Sequence, residues 1–530
     1  MRPEDKFFQT NDEKKIWERY CGFLDLSVEE FMQIQRRLLM EQIDLVADTP
    51  MGRKVMGGAK PRSVDEFRAS VPLTTYDDYA EHFYRQDDSV LGEKPLYWCH
   101  SAGRGGYFKW MPYSERGFEV IARRVIALFI LATTESKGQV HFKPEARILF
   151  LIPPRPYTSG CGAYYLGQQM SIKVIPPLEQ IEDVQFADRI AMGFQMGLHT
   201  GVDTMFAIAS VLAKTGERMA EQAKGVKLSW GLLRPPVLVR LLSAVIRSKV
   251  ERRPILPKDL WKPQGILTGG TDLKIYKNQI HHYWGQMPNE VYGSTEMFTM
   301  ATQAWNRQGM IFIPDTAFWE FIPEDQLKKC KADDTHSPRT VLMDEIEVGK
   351  TYEVVLTHFY GMPLLRYRMG DLITVVSVAD KESGISLPQI EFKTRISDTI
   401  DIGGLTDLDE QTIWKAIEGC NIKYEDWLAR KEIGSGSSYL SVYIEPKEEV
   451  SVPFLEKRID EQLKQIDIDY RDIDTMLGIQ PVKITLLSPG TFQRYYEEKQ
   501  NEGSDLAHLK PPHMNASDEV TARLMQLGRA

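Results

Sequence analysis

Apolar residues in the first ninety positions recur at helical spacing. Ser27 stands just ahead of Phe31, Ile34, Leu38 and Leu39, the order of a capping hydroxyl followed by a buried helical stripe. Pro72 and the pair Thr74-Thr75 break this pattern with a turn. Residues 118–133 form a second apolar-rich helix. Residues 147–152 are instead a short continuous apolar run closed by Pro153-Pro154, as in a strand buried on both faces. Residues 192–214 read as another helix, with Phe206, Ile208 and Val211 on it.

A different rhythm follows. Residues 265–267 are a short strand that opens into Thr268-Gly269-Gly270, residues 274–283 a helix, and residues 290–292 the next strand. Strand, glycine turn, helix, strand is the alternation of an α/β sheet. In such sheets ligands sit beyond the carboxyl ends of the strands. Thr268-Gly269-Gly270 and residues 293–296 both fall at such ends. From about 310 to 390 the chain turns β-rich, with strands at 311–313, 317–322, 352–356 and 372–378, as in a distorted barrel or small antiparallel sheet. After Lys393-Thr394 a smaller α+β domain is expected. It has a helix at 408–417, a strand at 439–444, a helix at 453–465 and a strand at 482–487. Residues 434–438 read as a mobile turn, and the polar tail after Pro511 as disordered. The organisation expected is therefore α/β, with a large domain over 1–393 and a small one over 394–530.

Composition narrows the class. The chain has 530 residues, of which 42% are hydrophobic and 26% charged, the balance of a globular protein with a sizeable core. A net charge of −9 argues against a nucleic-acid surface, which needs clustered Lys and Arg. Cys21, Cys99, Cys161, Cys330 and Cys420 are scattered with no CxxC spacing, as free thiols are in a reducing compartment. The amino terminus lacks an apolar signal core. The most apolar run, residues 125–132, is shorter than the roughly 20 residues that span a bilayer. A cytoplasmic protein with no membrane partner is expected.

Three segments carry candidate chemistry. Ser101-Ala-Gly103-Arg104-Gly105-Gly106-Tyr-Phe-Lys109 is glycine-rich and basic. Glycines let backbone N–H groups approach phosphates closely, and Ser101, Arg104 and Lys109 add a hydroxyl and positive charge. It is not a Walker loop, because GxxxxGK[ST] is absent; the plainer alternative is an exposed turn. Tyr292-Gly293-Ser294-Thr295-Glu296 reads as a strand-to-helix turn. Glu296 there can hold Mg²⁺, Tyr292 can stack on a base, and Ser294 and Thr295 can donate to phosphate. The alternative makes Ser294 or Thr295 a helix N-cap with Glu296 in the first turn. Asp371, in Tyr367-Arg368-Met-Gly370-Asp371, can bind two ribose hydroxyls; its alternative is a turn aspartate paired with Arg368. His281-His282 are adjacent, so they do not share a helix face at metal-ligand spacing.

Together and in this order the three motifs resemble the adenylate-forming superfamily. The closer resemblance is to its Gretchen Hagen branch, the auxin-responsive acyl acid–amido synthetases. Supporting stretches run along nearly the whole chain: residues 67–79, 313–323, 347–357 continuing to 366–371, and Ser488-Pro-Gly-Thr-Phe492 with His508-Leu-Lys510-Pro-Pro512. The resemblance implies a large nucleotide- and acyl-binding domain and a small mobile one. It implies ATP and Mg²⁺ as cofactors, and a carboxylic acid and an amine, an amino acid above all, as substrates. Ser101, Gly103 and Gly106 would lie along the phosphates with Arg104 and Lys109 beside them. Thr268, Gly269 and Gly270 would border adenine or the acyl group. Tyr292, Gly293, Ser294 and Thr295 would hold the nucleotide, Glu296 the magnesium and Asp371 the ribose. Arg395 would sit at the domain hinge. Lys510 would be the catalytic lysine near the α-phosphate, and residues 118–131 and 156–165 would line an apolar acyl pocket.

The sequence departs from that pattern in three places. Arg104-Gly105 stands where the family carries Ser/Thr, Ser397-Asp398 where the superfamily has its hinge acid, and Pro511-Pro512-His513 where the family tends to have an Arg. An acyl-CoA ligase sharing the first half-reaction, and a binding protein without turnover, are the alternative functions.

Overall fold

The computed structural model describes residues 1–100, 109–182, 184, 186–222, 235–269, 273–333, 335–402, 406–434, 437–467, 470–471, 481–501 and 512–528. Ser101, Gly103, Arg104, Gly106, Gly270 and Lys510 lie outside these residues. The chain divides into two compact units, residues 1–369 with 373–392, and residues 370–372 with 393–530.

In the first unit the amino-terminal third is helical. Ser27 caps the helix Val28–Val46, and the Glu30 carboxylate returns the bond to the Ser27 backbone, a capping box. Two buried glutamines tie this helix to the following β structure. Gln35 donates to the Ala317 carbonyl at 2.7 Å and accepts from the Trp319 amide at 2.8 Å. Gln42 donates to the Met362 carbonyl at 2.7 Å and accepts from the Gly361 amide at 2.8 Å. Buried amides are tolerated because they are bonded in this way.

The strands, in chain order, are β1 (Tyr97–His100), β2 (Trp110–Tyr113), β3 (Arg147–Leu151), β4 (Lys173–Ile175), β5 (Thr204–Ile208), β6 (Gly265–Gly269), β7 (Asn289–Tyr292), β8 (Ala301–Gln303), β9 (Met310–Phe312), β10 (Ala317–Pro323), β11 (Thr351–His358), β12 (Tyr367–Ser377) and β13 (Gln389–Arg395). β1 and β2 form a hairpin. The other eleven make one sheet in the order β10-β11-β12-β13-β9-β8-β7-β6-β5-β3-β4. β4, β3, β5, β6 and β7 run parallel, whereas β7-β8 and β8-β9 are antiparallel. The sheet therefore changes from parallel to antiparallel at β7. The nearly all-buried helix Glu115–Ala132, capped by Ser114, packs against it.

Two expectations change here. The helix read over residues 192–214 is three elements: the helix Phe186–Thr200, strand β5, and the helix Ala209–Gln222. Gly201, at φ +89°, takes the left-handed backbone that ends the first helix. β5 pairs on both sides, Met205 standing opposite Leu149 and Ile266. A central strand buried on both faces is apolar at every position, so periodicity does not separate it from a buried helix. The β-rich stretch from 310 to 390, in turn, is continuous with the parallel strands instead of closing on itself as a barrel.

The second unit holds β14 (Ile400–Ile402) paired with β15 (Thr406–Leu408), and a sheet of β16 (Tyr424–Gly434), β17 (Ser437–Pro446) and β18 (Val482–Leu486). The helices Glu410–Glu418, Val452–Ile466, Thr491–Asn501 and Asp518–Leu527 pack with them. The tail read as disordered is ordered from 512 to 528: Ser517 caps the last helix, and Met514, Ala516 and Leu524 are buried. His513 stacks on Trp427, ring centroids 4.4 Å apart. Its Nε2 lies 2.8 Å from Asp426 and its Nδ1 contacts Glu410. Two carboxylates here face one imidazole.

Candidate active site

β6 and β7 are adjacent parallel strands, with Thr268 opposite Glu290. Thr268 is buried and Gly269 ends β6; Tyr292 ends β7. The candidate residues thus lie at the carboxyl ends of neighbouring strands, where the sheet changes direction. The Tyr292 ring packs between Phe312 and Phe392, with centroids at 6.3 and 5.8 Å.

Glycine at 293 is dictated by packing. A Cβ there would lie 2.0 Å from the Phe298 carbonyl oxygen. The turn that follows is closed by its own bonds: the Ser294 amide donates to the Met297 carbonyl at 2.9 Å, and the Met300 amide to the Tyr292 carbonyl at 2.9 Å. The Ser294 hydroxyl accepts from the Glu296 and Met297 amides at 3.1 and 3.3 Å. This is capping chemistry, but no helix follows. Bends lead directly into β8, which corrects the expected strand-to-helix turn. The antiparallel return of β8 beside β7 requires a reversal, and a helix would carry the chain away from it.

The turn presents Glu296, and partners from three other segments converge on it. Tyr367 donates to Glu296 Oε1 at 3.2 Å. His358 Nε2 contacts the Glu296 carbonyl, and Tyr113 donates to the Thr295 carbonyl at 2.7 Å. Burial, then the Glu296 charge, push the Tyr367 phenol up, so it stays protonated as a donor. Burial likewise pushes Tyr76 and Tyr113 up, with Glu296 contributing to each. Burial holds His358 down at about 4, so its ring is neutral. Lys109 lies over the Tyr76 ring, 5.1 Å from its centroid, which brings the end of the glycine-rich segment to the same group of tyrosines. Phe298 packs on the helix Thr158–Gln169: a Cβ on Gly162 would meet its ring at 2.9 Å. Phe118 and Tyr165 join that helix to Glu115–Ala132, centroids 5.6 Å apart.

Among the described residues no group of three or more His, Cys, Asp or Glu could hold a metal. A magnesium ion held by one carboxylate plus substrate phosphates is the type this carboxylate fits.

Asp371 is inside β12, not in a turn. The strand's buried positions, Tyr367, Asp371, Ile373 and Val375, fall at even spacing, the signature of one covered face. In the second unit Asp371 Oδ1 accepts from Arg395 Nε at 2.8 Å, the carboxylate buried and Arg395 42% exposed. Arg368, the partner suggested by the sequence, bonds Glu353 at 2.6 Å; it stands three positions from Asp371, and residues an odd number apart in a strand point to opposite faces. Sequence reasoning gave no role to Tyr76, Tyr113, His358 or Tyr367. Two of them carried a signal: Tyr367 by its place in the Asp371 motif, and Tyr76 by its place in the stretch 67–79.

Family models match three stretches of the chain: the GH3 family N-terminal domain at 21–163, its central domain at 310–395 and its C-terminal domain at 420–519. The chain belongs to the GH3 family. Among relatives of this GH3 chain, the indole-3-acetic acid-amido synthetase GH3.10 of Arabidopsis thaliana is 25% identical over 93% of this chain and 94% of that protein. The jasmonoyl–L-amino acid synthetase GH3.5 of Oryza sativa subsp. japonica is 26% identical over 49% of this chain, and the match spans about half, 47%, of that protein. A solved structure of the acyl acid amido synthetase AtGH3.15, in complex with 2,4-DB, superposes at a TM-score of 0.71 with 18% identity, covering 97% of this chain and 96% of that one. A 2-hydroxyisobutyryl-CoA ligase in the postadenylation state, in complex with 2-HIB-AMP, superposes at 0.60 with 15% identity over 96% and 94%. The fold is the α/β fold of these enzymes. Among the described residues no helix is long and apolar enough to cross a membrane.

Proposed function

We propose that this GH3 chain activates a carboxylic acid with ATP and passes the acyl group to an amine, an amino acid in the first instance. The observation that carries the reading is the Glu296 carboxylate, held on a glycine-dependent turn at the carboxyl end of β7 and bonded by a protonated phenol. In the first half-reaction a substrate carboxylate oxygen attacks the α-phosphorus, the bond to pyrophosphate breaks, and an acyl adenylate forms. In the second, the amine nitrogen attacks the acyl carbon, the bond to AMP breaks, and the nitrogen's proton passes to solvent or a base.

Glu296 would hold magnesium, which supplies neutralisation of phosphate charge. The residues of the chain divide the remaining work. Tyr367 orients the Glu296 carboxylate. Ser101, Gly103, Arg104, Gly106 and Lys109 line the phosphates. Tyr292, Gly293, Ser294 and Thr295, with Thr268, Gly269 and Gly270, border the nucleotide. Asp371 takes the ribose hydroxyls in exchange for its bond to Arg395. Lys510 stabilises charge at the α-phosphate, an electrostatic role of the kind worth roughly 10²–10³ in rate. Residues 1–393 would bind nucleotide and acid, and residues 394–530 would move between the half-reactions, excluding water from the adenylate. Phe118, Tyr165 and Phe298 suit an apolar or aromatic acid.

The test is pyrophosphate release across a panel of acids, each with amino acids and separately with CoA. Amino-acid-dependent AMP formation supports the proposal. CoA-dependent AMP formation replaces it with the ligase reading, for which the likeness to the CoA-ligase fold speaks. ATP binding with no turnover across the panel leaves a binding protein.

A further inference from the structure

Among the described residues, the helix Pro235–Val250 is docked by one face. Val237 and Ala244 are fully buried, and the Arg240 guanidinium donates to the Gly197 and Leu198 carbonyls at 3.0 and 2.6 Å. The other face carries Val239, Leu242, Val245, Ile246 and Val250, exposed by 63, 61, 38, 61 and 75%. At 3.6 residues per turn these five side chains fall within an arc of roughly 140°. The outward face of a surface helix is ordinarily polar, and a contiguous apolar face marks a binding surface.

Charge says what it binds. The described residues 235–253 contain five Lys or Arg and a single acid, Glu251, in a chain whose net charge is −9; Arg240 is turned inward and Arg253 bonds Glu251 and Asp259, which leaves Arg247, Lys249 and Arg252. Lys249 and Arg252 are exposed at the helix end. The exposed face consists of branched aliphatics with no Trp or Tyr, the residues that anchor protein partners. Branched aliphatics flanked by Lys and Arg are the composition of a helix lying in a lipid interface. We propose that this face seats the protein reversibly on an anionic lipid surface, the helix parallel to the membrane plane. Valine, leucine and isoleucine would enter the acyl boundary, and Lys249 and Arg252 would meet the headgroups. The acidic remainder of the chain would be repelled from such a surface, so contact through this segment would also fix orientation. The inference does not depend on the chemistry proposed above.

The test is co-sedimentation of the full-length protein with phosphatidylcholine vesicles, with and without phosphatidylserine. Binding is expected only with phosphatidylserine, weakening as salt rises. The double variant Leu242→Asp/Ile246→Asp should lose about tenfold or more in binding, and Lys249→Glu/Arg252→Glu about fivefold. Both should keep the wild-type melting profile and pyrophosphate release, since their side chains face outward. Absence of binding to either vesicle overturns the proposal, as does equal binding by the variants. If instead the wild type self-associates in sedimentation velocity and Leu242→Asp/Ile246→Asp abolishes this without vesicle binding, the face is a contact between copies and the lipid assignment is wrong.

Discussion

Tyr367 donates its phenolic hydrogen to Oε1 of Glu296 across 3.2 Å, joining segments 71 residues apart. The bond sets the direction of the one carboxylate assigned to metal, and burial keeps its donor protonated. Tyr367→Phe removes the donor while keeping the ring. Pyrophosphate release should fall about tenfold, with stability reduced by only about 1 kcal/mol. Glu296→Ala should cost roughly 10²–10³ in the same rate. Steady-state kinetics beside denaturant melts separate the two effects; an unchanged rate in both variants removes Glu296 from the mechanism.

Gly293 supplies the sharpest steric test. A Cβ 2.0 Å from the Phe298 carbonyl oxygen cannot be accommodated without moving the turn that carries Glu296. Gly293→Ala should destabilise the protein by about 2 kcal/mol or more and abolish activity. Gly269→Ala is the control: its Cβ would stand 3.6 Å from Val291, an ordinary contact. Its stability should change by less than about 1 kcal/mol in the same urea titration.

His358 and Glu290 give opposite pH slopes. Burial holds the His358 ring at about 4 against an ordinary 6.5. Between those values the unfolded chain binds the extra proton, so stability falls as pH drops through the window. The interval corresponds to roughly 3 kcal/mol when fully expressed. Burial raises the Glu290 carboxyl from 4.5 to about 7, with Lys274 opposing and Glu391 adding. There the folded chain keeps a proton the unfolded chain has lost, so stability falls as pH rises from 4.5 to about 7. His358→Asn should flatten the acid limb of a stability-versus-pH curve, and Glu290→Gln the neutral limb.

The ion pair between Asp371 and Arg395 admits a double-mutant cycle. Asp371→Asn and Arg395→Ala should couple by about 1–3 kcal/mol in unfolding, since removing Arg395 leaves a buried carboxylate. ATP affinity should respond more strongly to Asp371→Asn than to Arg395→Ala, because only the aspartate is assigned to ribose. Equal effects on affinity would make Asp371 a structural residue.

Several elements were legible along the chain. Ser27 ahead of its apolar stripe, the apolar-rich helix read over 118–133, and the strand–glycine–helix–strand run from 265 to 292 depend on patterns within a few residues, which local spacing records. β5 was not legible, because its identity as a strand comes from β3 and β6 on either side of it. The same holds for the end of the chain after Pro511, where polar composition suggested disorder. His513, wedged against Trp427 and two carboxylates, and the buried Met514 and Ala516 fix it in place.

By itself the sequence determined the order of the three motifs, the glycine that permits the 293 turn, and the family to which the chain belongs. All of these are properties of neighbouring residues or of their order. The tertiary structure alone decided that Tyr367 faces Glu296, that no helix follows that glutamate, and that Asp371 bonds Arg395 instead of Arg368. Those partners are chosen by which strands lie side by side and which face each residue presents. Strand pairing across many tens of residues is set by the packing of the whole sheet, which no local pattern contains.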